Sequence, residues 1–93
     1  MITHFRIANH VRSVIDADGA VLLDVRGGRY FSLNGVAVDI WRKIEEGCSR
    51  DQIETYLELT YEAPADTLRT HCHAFLQRLE DASLIDTANE SYS

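Results

Sequence analysis

Gly28-Arg29-Tyr30-Phe31-Ser32-Leu33-Asn34, followed by Ile40-Trp41, is the stretch that decides the fold. Gly28 supplies a turn. Arg29 to Leu33 reads as a strand rich in aromatic and aliphatic residues. Asn34 reads as the N-cap of a helix on which Val36, Ala37, Ile40, Trp41 and Ile44 recur at helical spacing.

Working backwards, two more strands precede it. Ala20 to Val25 is strongly apolar, and His10 to Asp16 carries Val11, Val14 and Ile15. Ala17-Asp18-Gly19 and Arg26-Gly27-Gly28 break the run into hairpins. If each loop has three residues, Val25 faces Arg29, Leu23 faces Phe31, and Val21 faces Leu33. Ile15 then faces Val21, and Ser13 faces Leu23. This register collects Val11, Ile15, Val21, Leu23, Val25, Phe31 and Leu33 on one face. It leaves Val14, Leu22, Asp24, Tyr30 and Ser32 on the other. A slip of one residue reverses every side chain, so segregation of apolar residues favours this arrangement. Residues 1–9 form an arm or short strand.

Working forwards, Gly47 ends the first helix. Ser49-Arg50-Asp51-Gln52 has the capping-box pattern and opens a second helix, with Ile53, Tyr56 and Leu57 inward. Pro64 suits the first turn of a third helix. That helix shows Leu68, Cys72, Phe75, Leu76, Leu79 and Ala82 at spacings of three and four. Leu84-Ile85 is an apolar anchor, and 86–93 read as a flexible polar tail. The expected fold is α+β: a three-stranded antiparallel sheet followed by three helices, winged-helix-like. Three strands with one apolar face need helices to cover them.

The chain has 93 residues, which is one domain, and a formal net charge of −6. The charge is uneven. Residues 1–33 hold four Arg against three Asp, for +1; residues 34–93 hold five Lys or Arg against twelve Asp or Glu, for −7. An acidic surface disfavours phosphate backbones, so nucleic-acid binding is not expected. A winged-helix DNA-binding regulator is the alternative reading of the shape. Its recognition helix would have to offer Arg50 and Gln52 beside Asp51, Glu54, Glu58 and Glu62. No signal-peptide run and no apolar stretch of membrane-spanning length is present, so the expectation is a cytoplasmic protein without a membrane partner.

Tyr30-Phe31-Ser32-Leu33-Asn34 after a small sheet, then Ile40-Trp41, Glu46-Gly47, and the late helix Phe75-Leu76-Gln77-Arg78-Leu79 with Leu84-Ile85 beyond, resemble the PqqD-like family. These are recognition elements for ribosomally made, post-translationally modified peptides. The likeness covers residues 10–85. Ser83 departs from it where glycine often stands, and Gly35 stands where larger residues or proline are common. The resemblance implies a non-enzymatic, cofactor-free adaptor. It would bind the leader of a precursor peptide as an added strand, in the groove between the third strand and third helix. A separate maturation enzyme, first of all a leader peptidase as in lasso-peptide pathways, would then act.

The residues agree with that implication. The third strand is an edge whose only charge is Arg29 and which no proline interrupts. Edges are usually blunted, and an open one suits strand addition. The competing arrangement has residues 3–8 covering it. The residues expected to meet a peptide are Arg29, Tyr30, Phe31, Ser32 and Leu33 on the strand, and Arg69, Cys72, His73 and Leu76 on the third helix. Phe31, Leu33 and Cys72 also belong to the core pattern. Arg69 is the candidate partner for an acidic residue, and Leu76 for an apolar pocket.

Other chemistries find little support. His71 and His73 lie about 200° apart on a helix, so both cannot face one metal ion. Cys72 on a core stripe behaves as a small hydrophobe, and Cys48 has no histidine near it in sequence. No metal site or thiol active site is expected.

Overall fold

In this computed structural model the described residues are 2–33 and 35–90. In chain order they form β1 (Ile2–Ile7), β2 (Val11–Asp16), β3 (Gly19–Asp24), β4 (Arg29–Leu33), α1 (Val36–Glu45), α2 (Arg50–Thr60), α3 (Ala65–Asp81) and β5 (Ile85–Glu90). The antiparallel sheet β2-β3-β4 precedes the three helices, as the sequence predicts. No helix among the described residues is long and apolar enough to cross a membrane.

A second sheet joins the two ends. β1 and β5 pair antiparallel, with Phe5 opposite Thr87 and Ile7 opposite Ile85. A polar tail was expected from residue 86; residues 86–90 instead belong to β5. Their polarity misleads because main-chain bonds to β1, rather than apolar side chains, tie them down. Thr87 Oγ1 also donates to a Glu80 carboxylate oxygen, fastening β5 to α3. Residues 3–7 therefore pair with β5, Ala8 N bonds Leu84 O, and this arm does not cover β4.

The register of the main sheet corrects the expected one by a single residue in both hairpins. Asp16 pairs with Gly19 across the two-residue turn Ala17-Asp18. Asp24 pairs with Arg29, Leu22 with Phe31, and Ala20 with Leu33, across the four-residue turn Val25 to Gly28. Val11, Ile15, Phe31 and Leu33 face the helices as predicted, while Val21, Leu23 and Val25 do not. Ala20 and Leu22 take their place, and Leu22 is wholly buried.

The reason is Asp24. Segregating apolar residues puts an aspartate outside, yet Asp24 is buried. Its Oδ1 accepts from the backbone N–H of Gly27 (2.8 Å) and Arg26 (3.0 Å), and its Oδ2 from Arg29 Nη2 (3.1 Å). A buried carboxylate is tolerated when its acceptor capacity is met in this way. Gly27 is required, since a Cβ there would stand 2.6 Å from Asp24 Oδ2. Gly28 completes the turn at φ +70, the left-handed region.

The helices close the core. Ile40, Trp41 and Ile44 of α1, Ile53 and Leu57 of α2, and Leu68, Cys72, Leu76 and Leu79 of α3 are buried together with Leu22, Leu33, Leu84 and Ile85. The expected cap Asn34 lies outside the described residues; Gly35 occupies the N-cap position of α1 and makes no side-chain cap bond. At α2 the predicted capping box is present. Ser49 Oγ accepts from Gln52 N at 3.3 Å, and Gln52 Oε1 accepts from Ser49 N at 2.8 Å. Ser49→Ala is expected to cost about 1 kcal/mol. In a domain of this size that lowers Tm by roughly 4–8 °C, readable by thermal melts.

Candidate functional site

β4 is the edge of its sheet, and the pairing pattern says which of its backbone groups are free. Val25 N donates to His10 O at 2.9 Å. Antiparallel bonding alternates. The odd-numbered residues of β3 therefore turn their backbone groups to β2, and Ala20, Leu22 and Asp24 turn theirs to β4. Arg29, Phe31 and Leu33 are thus bonded inward. The N–H and C=O groups of Tyr30 and Ser32 project from the outer edge, and among the described residues no strand pairs with them.

A groove runs beside this edge on the helix side. One part is a pocket of about 180 Å³ lined by Phe31, Ser32, Leu33, Ala37, Phe75, Arg78, Leu79, Ala82 and Leu84. It continues into a crevice of about 410 Å³ between the start of α1 and α3, lined by Gly35, Val36, Ala37, Ile40, His71, Ala74, Phe75 and Arg78.

Of the five strand residues expected to meet a peptide, three line this groove and two do not. Phe31, Ser32 and Leu33 line the pocket. Tyr30 is 73% exposed on the opposite face of the sheet. Arg29 is engaged within the fold. Its Nη2 donates to Asp24 Oδ2 and to Ala82 O, both at 3.1 Å, and its guanidinium lies 5.4 Å from the centre of the Phe31 ring. It ties the start of β4 to the end of α3 and fixes the groove at that point.

The α3 residues expected at the site lie elsewhere. Cys72 and Leu76 are completely buried. Arg69 pairs with Asp66 at 3.4 Å. His73 Nδ1 accepts from Arg50 Nη1 of α2 at 3.1 Å. The groove is formed by the other flank of the same helix: His71, Ala74, Phe75, Arg78 and Ala82. A core stripe has two flanks, and spacing alone does not say which one meets β4. The signal that was available is the pair of small residues Ala74 and Ala82 around Phe75 and Arg78, which leaves room for another chain.

Asp24 and Cys72 are electrostatically distinctive. The Gly27 N–H, then Arg29, the Arg26 N–H and nearby His10, hold the Asp24 carboxyl below its ordinary value of 3.8, against the burial that pushes it up. A carboxyl lowered in the folded state stabilises the fold above its unfolded pKa, and that contribution is lost as pH falls through the folded value. Asp24→Asn is therefore expected to lower Tm at pH 7. The gap to the parent should close in melts carried out progressively below pH 3.8. Burial, with Glu54 adding and Arg50 opposing, pushes the Cys72 thiol up to about 11, so it is not a poised nucleophile. Among the described residues no group of three His, Cys, Asp or Glu is placed to hold a metal ion.

Comparison with known proteins places this geometry. The family model described as coenzyme PQQ synthesis protein D (PqqD) matches residues 19–85. The chain belongs to the PqqD family. No curated protein matches it. Two solved structures share the PqqD fold seen here. One is TbiB1 in complex with the TbiA(beta) leader peptide, at TM-score 0.81 and 30% identity, covering 95% of this chain and 98% of that one. The other is a lasso peptide synthetase B1 complexed with the leader peptide, at TM-score 0.81 and 25% identity, covering 89% and 98%. In this PqqD-family chain, Ser83 follows the end of α3 at φ 63, in the left-handed region. Its N–H bonds Glu80 O, and the Leu84 N–H bonds Leu79 O, which closes α3 in a Schellman turn.

Proposed function

We propose that this PqqD-family chain is a leader-recognition protein of a lasso-peptide type pathway. The leader of a ribosomally made precursor adds as a strand to β4 and lays alternate side chains into the groove against α3. The observation that carries this is the open edge of β4. Two outward-facing residues, Tyr30 and Ser32, stand beside an apolar groove, in a fold shared with two leader complexes. Main-chain bonds supply affinity, and the pocket supplies selectivity.

Catalysis belongs to a separate enzyme, with a leader peptidase first among the candidates. Binding the leader raises the effective concentration of the precursor at that enzyme. The outer face of the sheet supports a partner role, since Val14, Val21, Leu23 and Tyr30 stand exposed there beside the binding edge. Clustered exposed apolar side chains of this kind mark protein contact surfaces. We place the protein in the cytoplasm, where the precursor is made.

DNA binding is disfavoured by charge. α2 carries Asp51, Glu54 and Glu58, and the guanidinium of its Arg50 is bonded to His73. The test is amide chemical-shift mapping with a lasso-precursor leader peptide, the TbiA(beta) leader first. Shifts are expected at residues 29–33 and at Phe75, Arg78 and Ala82. Silence at both places sinks the proposal.

A further inference from the structure

Arg78 stands where the two parts of the groove meet, since it lines both the 180 Å³ pocket and the 410 Å³ crevice. Its side chain is exposed, and among the described residues its guanidinium has no hydrogen bond or ion pair. Neither part of the groove is lined by an Asp or Glu, and the remaining ionisable lining residue is His71. The chain as a whole carries −6. Most of its surface therefore repels an acidic peptide, while the groove presents a local positive centre.

The other basic residues near the site are committed. Arg29 is bonded to Asp24 and Ala82, and Arg69 to Asp66. Arg78 is the arginine left in the groove to face a ligand. A guanidinium donates a planar fork of N–H groups that a carboxylate accepts in two parallel bonds.

We infer that Arg78 is a specificity-determining residue: it selects a peptide bearing an Asp or Glu two positions from the apolar residue seated in the Phe31–Phe75–Leu79 pocket. The offset follows from strand geometry. A strand paired with Tyr30 and Ser32 turns every second side chain to the α3 side. An apolar anchor and a carboxylate that share this side are therefore separated by one residue. Phe31, Leu33, Phe75 and Leu79 provide the apolar wall for the first, and Arg78 the charge for the second.

This inference rests on the strand-addition reading, and the test separates the two. A phage-displayed library of random dodecapeptides is selected on the parent protein, on Arg78→Glu and on Arg78→Gln. Arg78 is exposed, so these variants are expected to keep the parent's circular dichroism and melting temperature. The parent should enrich peptides with Asp or Glu two positions from an apolar residue. Arg78→Glu should enrich Lys or Arg at that same position. For one selected peptide, changing the acid to its amide should weaken binding to the parent at least tenfold, yet leave binding to Arg78→Gln unchanged.

Enrichment without an acidic preference overturns the inference. So does an equal loss of acid and amide peptides on Arg78→Gln, since that marks a merely structural role for the side chain. In both cases strand addition stands if the selected peptides fail to bind Ser32→Pro. Selected peptides that bind Ser32→Pro as well as the parent overturn strand addition and the inference together.

Discussion

Ser32→Pro is expected to weaken leader binding roughly 30–100-fold, about 2–3 kcal/mol, in a protein that still folds. The alternation of bonds across β3 turns the Ser32 N–H away from the sheet, so within the free protein this donor bonds only solvent. Proline removes it and places a ring where an incoming strand must approach. One main-chain bond accounts for about 1 kcal/mol of the loss, and the clash for the rest. Phe31→Pro makes the contrast. That N–H points to Leu22 across the ladder, and its loss is expected to unfold the sheet. Titration calorimetry with the leader, together with circular dichroism of both variants, reads the difference. A folded Ser32→Pro protein with parental affinity would falsify strand addition at β4.

Leu22→Ala is expected to destabilise the domain by about 2–5 kcal/mol, and Leu23→Ala by less than about 1 kcal/mol. The two leucines are neighbours of the same kind, yet Leu22 is wholly buried and Leu23 is 42% exposed. A domain of this size holds only about 5–10 kcal/mol in total, so the first change removes much of it. Chemical denaturation of both variants decides the register. Equal losses, or a larger loss at Leu23, would restore the arrangement with three-residue loops.

That register was hidden from a reading by apolar pattern because one polar residue breaks the pattern. Asp24 sits among apolar neighbours and carries its own partners in the turn that follows it. The Asp-x-x-Gly spacing of Asp24 and Gly27 was visible, but its inward direction depends on how Arg29 reaches back. Once Asp24 goes in, Leu22 and Ala20 go in with it, and Leu23 and Val21 come out. The direction of Phe31 and Leu33 survives because both registers place them on the helix side.

The helices were easier to anticipate. Ser49 and Gln52 announce their own cap, and the α3 stripe of Leu68, Cys72, Leu76 and Leu79 follows from spacing alone. What spacing does not carry is the flank on which β4 lies. That is set by the way Leu33, Ala37 and Leu84 pack in three dimensions, so Arg78 replaces Arg69 as the cation of the groove. The pairing of β1 with β5 was likewise beyond an apolar pattern, because it joins segments far apart in sequence and most of β5 beyond Ile85 is polar and held by main-chain bonds.

Trp41 is the single tryptophan of the chain, and it is 1% exposed, in the core and outside the lining of both parts of the groove. Among the described residues its indole N–H has no hydrogen-bond partner. An indole in so dry a setting emits toward the blue and moves to the red when water reaches it. The molecule thus carries an intrinsic optical gauge of its folded state. Occupation of the β4 edge leaves that gauge still, while loss of the core moves it. Melts of the core variants can therefore be followed by Trp41 emission on the unlabelled protein, while calorimetry reads the titrations of the edge variants.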